Sequence, residues 1–109
     1  MADPEKRLRG HLAELKKNAK EYANGKEKKG FFGGTNFNKL LAAVKEDIEK
    51  AWQVWESERL PDDVAKDDKF GKLMESMVRI RKDLDAADPN DVEGIKRIML
   101  NLLAAFKQM

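Results

Sequence analysis

The sequence predicts an all-α fold, an antiparallel up-and-down four-helix bundle, on three observations. Apolar residues recur at spacings of three and four along four segments, the period at which side chains share one face of a helix. Turn signals separate these segments at Gly25 to Gly34, at Leu60-Pro61-Asp62-Asp63 and at Asp88-Pro89-Asn90. β-Branched residues are sparse and no stretch alternates as a strand would. With short links between neighbours, the antiparallel arrangement follows. At 109 residues, 41% hydrophobic and 39% charged, the chain is expected to fold as a single domain over 1–109.

The first segment opens with Asp3 as N-cap and Pro4 at the first helical position, followed by the stripe Leu8, Leu12, Leu15, Ala19 and Tyr22. The second carries Phe37, Leu41, Val44, Ile48, Ala51 and Trp55 on one face, with Lys45, Glu49, Lys50 and Glu56 away from its centre. The third runs Phe70, Leu73, Met77, Ile80, Leu84 and Ala87. Gly71 weakens its first turn, so the main helix is expected to start near Asp67 or Asp68, and Pro61 to Lys66 could form a separate short turn. In the fourth, Asn90 and Glu93 have the spacing of a capping box, and Val92, Ile95, Met99, Leu102 and Phe106 line the main face.

Composition narrows the function. The absence of cysteine excludes disulfide scaffolds, thiolate metal sites, iron–sulfur clusters and a cysteine nucleophile. The start of the chain has no apolar stretch behind its charges, and the longest apolar run, Ile98 to Phe106, falls far short of the ~20 residues that span a bilayer. A cytoplasmic location is expected. His11 is the one histidine and lies about 70° from the centre of the first stripe, where an imidazole makes an ordinary hydrogen bond. A carboxylate-bridged di-iron site needs two Glu-x-x-His units, and the chain has only His11-x-x-Glu14, in reverse order. His11 with Met99 or Met109 resembles cytochrome b562 in ligand types alone, on exchanged helices, so a haem-carrying bundle stands third among the readings and no cofactor is expected. Gly25-Lys-Glu-Lys-Lys-Gly30 has phosphate-loop glycine spacing, but Phe31 and Phe32 stand where Lys and Ser or Thr must grip phosphate and magnesium.

Two kinds of surface remain. Residues 1–35 hold nine Lys or Arg against five Asp or Glu, a net of +4, and Lys16, Lys17, Lys20, Lys28 and Lys29 gather at the end of the first helix and in the loop after it. Cations there complement the helix dipole, and they also suit membrane headgroups or nucleic acid. The loop sets Phe31 and Phe32 among glycines, as a plug for the bundle end or as a binding loop. From Tyr22 to Val44 the chain is similar to helical modules of secreted bacterial effectors, in which a Tyr precedes paired aromatics and a Gly before a helix. No residue role follows from that resemblance. In the second helix Trp55 is expected in the core and Trp52 at its edge.

The fourth helix carries Ile98, Leu100, Ala104, Ala105 and Met109 beyond its main face, leaving a narrow polar strip at Arg97, Asn101 and Gln108. The expected function is therefore a non-enzymatic protein–protein interaction module, of adaptor, immunity, effector or inhibitor type. It would contact another protein or a second copy through Phe31, Phe32, Trp52, Ile98, Leu100, Ala104 and Met109. The alternative is an anionic-surface binder acting through the Lys16–Lys29 patch, and no small-molecule substrate is implied.

Overall fold

The computed structural model describes residues 3–26 and 34–108. Among them every regular element is helical: α1 (Pro4–Ala23), α2 (Phe37–Ser57), α3 (Asp62–Ala65), α4 (Asp68–Ala86) and α5 (Val92–Lys107). The four long helices are those the periodicity predicts. The short turn expected near Pro61 is α3, a single helical turn.

Local chemistry sets the helix starts. The carboxylate of Asp3 accepts from Glu5 N–H at 3.1 Å with Pro4 behind it, Asn36 accepts from Lys39 N–H at 3.1 Å, and Asp67 accepts from Lys69 N–H at 2.7 Å. Each satisfies a backbone donor that the first turn leaves orphaned. At α5 the cap is Asp91 rather than Asn90: its side chain accepts from Gly94 N–H at 3.0 Å. Asp91 sits against Gly94 so closely that a Cβ there would collide with the carboxylate, so the glycine one turn on makes room for this cap.

Packing follows from the stripes. α1 lies between α2 and α5, and α4 also touches both, while α3 rests on α4. The shared core comprises Leu8, Leu12, Leu15, Ala19 and Tyr22 of α1, Leu41, Val44, Ile48, Ala51 and Val54 of α2, six residues of α4, and Ile95, Met99 and Leu102 of α5. No polar or charged residue among those described is buried. Val54 takes the core position that the spacing assigned to Trp55. Trp55 is instead half-buried and stacks on Phe70, with centroids 6.2 Å apart and planes 9° from parallel, while Arg9 covers Phe70 at 5.2 Å from its centroid. A tryptophan at the end of a helix keeps one ring edge in solvent; the smaller Val54 fits inside.

Both ends of the helix assembly are closed by the chain itself. At one, the α2–α4 connection turns Leu60 and Val64 inward. At the other, Phe37 meets Tyr22 edge-on at 4.9 Å and covers Gly25, where an added Cβ would come within 2.6 Å of the Phe37 ring. Beside it Lys26 and Thr35 clasp each other, Lys26 N–H donating to Thr35 Oγ1 at 3.1 Å and Thr35 N–H to the Lys26 carbonyl at 3.0 Å. This clasp holds together the two ends of the excursion that contains Phe31 and Phe32, which themselves lie outside the described residues.

Candidate functional site

The orientation of α5 decides what its surplus apolar residues do. Lys96, near the helix start, donates from Nζ to the Gly25 carbonyl at 2.8 Å and lies 5.5 Å from the Phe37 ring centroid. The start of α5 therefore sits at the end of α1, and the two helices run antiparallel. On the other flank of α5, Asn101 and Ala105 share a groove with Ser76 and Arg79 of α4. The flank bearing Lys96, Leu100 and Leu103 consequently faces α1, at 100° per residue around the helix.

Polar contacts orient α1 as well. Asn18 donates to the Asp47 carboxylate at 2.9 Å and Arg7 pairs with Glu58, so this flank of α1 belongs to α2. The opposite flank, with exposed Lys16 on it and exposed Lys20 at its outer edge, turns towards α5. Lys16 and Leu100, which the sequence put in different candidate surfaces, come to the same side of the molecule.

Leu100 is 55% exposed, and among the described residues it is the one large hydrophobic side chain left open to solvent. Ala104, one turn on, is exposed, and Leu103 is half-buried beside them. Around this apolar strip stand Arg97 and Lys107 of α5 and Lys16 and Lys20 of α1. Among the described residues none of these four has a carboxylate within 4.0 Å. The nearby acid, Glu93, lies 4.0 Å from Lys96, whose ammonium is already bound to Gly25.

The other candidate residues disperse. Ile98 packs half-buried against the core. Trp52 lines a groove of about 360 Å³ between α2 and α4 with Ile48, Met77 and Val78, on the side of the molecule away from Leu100. Phe31, Phe32, Lys28, Lys29 and Met109 lie outside the described residues. Lys17 borders an open depression between α1 and α2, with Lys39 and Glu21 also on its rim, and Lys20 reaches that rim from the outer face of α1. The lysine patch is thus divided, Lys16 turning to α5 and Lys17 away from it.

Side chains with proton chemistry are scattered. His11 sits at the α1–α2 seam beside Arg7, Lys50 and Glu58, and Met99 is fully buried in the core. Among the described residues no three His, Asp or Glu side chains gather as a metal group. Burial pushes the Asp47 carboxyl upward, partly offset by the hydrogen bond from Asn18, with the nearby Glu14 adding to the rise. Desolvation raises the Asp85 carboxyl, but its bonds to Lys45 and Arg81 together outweigh this and hold it below the usual range. That pair belongs to a polar seam: Arg81 donates to the Lys45 carbonyl at 3.0 Å and reaches Glu49 at 3.7 Å, tying α4 to α2. Arg81 is itself half-buried there.

Sequence reading did not find Arg97 and Lys107 as part of a surface, because each looks solvated until α1 brings Lys16 and Lys20 alongside. No described helix is long and apolar enough to cross a membrane. Compared with protein-family models, curated proteins and solved structures, the chain finds no match.

Proposed function

We propose that the chain is an antiparallel up-and-down four-helix bundle, with α3 as an end plug, that works in the cytoplasm as a non-enzymatic protein–protein interaction module. The observation that supports this reading is Leu100. A leucine more than half exposed at the middle of a helix gives up hydrophobic stabilisation in the free chain and regains it when a partner covers it. Ala104 beside it lets another backbone approach closely. The anionic-surface reading has less support, because Lys16 and Lys17 diverge on α1.

Affinity capture from native lysate, run with the natural chain and with Leu100→Glu, tests the proposal. A protein retained by the natural chain and lost from the variant, at unchanged helical circular dichroism, is the expected result. Equal capture by both folded proteins refutes Leu100 as the contact.

A further inference from the structure

We infer, building on the interaction reading proposed above, that the α1–α5 side docks an acidic amphipathic helix of another protein, with Leu100 as apolar anchor and Lys16, Lys20, Arg97 and Lys107 as its basic rim. The occupant follows from charge complementarity. Four cations without a carboxylate partner among the described residues share this side with one exposed leucine, and Glu93 lies beside Lys96. A partner segment that presents apolar residues at helical spacing, flanked by Asp or Glu, satisfies both halves of this surface at once.

Other occupants fit less well. In a two-fold dimer through this face each copy would bring the same patch, so Lys16, Lys20, Arg97 and Lys107 would meet their own kind, and like charges across an interface cost several kcal/mol. An in-plane membrane helix submerges a whole face of large apolar residues, whereas here Leu100 is the one such side chain exposed among the described residues. Single-stranded nucleic acid is held by cations interleaved with aromatic platforms, and this side presents a leucine and an alanine instead.

A photo-crosslinking residue placed at Ala104 leaves Leu100 and the four cations intact; the same residue at Glu75, exposed on α4, serves as the control position. Both full-length proteins are irradiated in the cells that produce them, and the adducts are identified by mass spectrometry. The expected adduct at position 104 joins an acid-rich helical segment of a second protein. Its yield should fall about tenfold or more in the Lys16→Glu/Lys107→Glu background, because each 1.4 kcal/mol lost is tenfold in affinity. Circular dichroism of that double variant, unchanged from the natural chain, separates lost docking from lost folding; should it unfold, Lys16→Gln/Lys107→Gln replaces it. An adduct to a second copy, to lipid or to nucleic acid overturns the inference, as does a protein adduct that is not acid-rich or survives charge reversal. A protein adduct at position 75 but not 104 overturns this surface while leaving the interaction reading standing. No protein adduct at either position sinks both.

Discussion

Leu100 and Leu102 are two residues apart on α5, and the structure gives them opposite fates, which makes the pair a sharp test of how the helix is seated. Leu102 is fully buried, so Leu102→Ala removes a side chain from a packed core and leaves a cavity, a loss of about 3–5 kcal/mol. Leu100 is 55% exposed, and full burial of a leucine contributes about 1.5–3 kcal/mol, so under half of that, roughly 1 kcal/mol, is at stake in Leu100→Ala. In a domain of this size 1 kcal/mol moves Tm by about 4–8 °C, so the two alanine variants should differ by at least 8 °C or so in thermal unfolding followed by circular dichroism. Leu100→Glu should resemble Leu100→Ala in stability. A glutamate at 100 faces Lys96 one turn earlier and Arg97 beside it, and such helical pairs offset a few tenths of a kcal/mol. Equal losses for Leu100→Ala and Leu102→Ala would refute the seating of α5. The extra apolar arc of the helix would then serve folding alone, and the docking surface would have no anchor.

Two further measurements address groups inside the fold. The Tyr22 hydroxyl is buried and finds no hydrogen-bond partner among the described residues, so Tyr22→Phe should leave stability unchanged or raise it by about 1 kcal/mol; a loss above that in urea unfolding would mean the hydroxyl is satisfied. Asp47 has its folded-state pKa raised above the unfolded value, chiefly by burial, so its contribution is most favourable in acid and declines as pH rises from the unfolded pKa through the folded one. Asp47→Asn keeps an acceptor for Asn18 without the charge and should be as stable as the natural chain or more so near neutrality, the gain shrinking as pH falls through the range where Asp47 protonates. A variant less stable at pH 7 than in acid, relative to the natural chain, would contradict this sign.

The sequence by itself determined where helices form and which face each one buries. Both are set within one or two turns: apolar residues at three and four must share a face, and Asp3, Asp67 and the turn residues close the ends with their own side chains. Leu8 to Tyr22, Leu41 to Ala51, and Ile95 to Leu102 were legible for that reason. Where two neighbours compete for one local role, periodicity alone does not choose. Val54 displaced Trp55 from the core because the larger ring does not fit at the helix end, and Asp91 displaced Asn90 as cap because Gly94 leaves it room. The candidate surface depended on something no local pattern contains, the order in which helices stand beside one another. Only the tertiary fold, in which Lys96 reaches back across 71 residues to Gly25, sets α5 against α1 and so brings Lys16 and Lys20 to the side of Leu100. The same arrangement sends Trp52 to the α2–α4 groove, because a helix buries one stripe and its remaining flanks acquire meaning from whichever helix packs next to them.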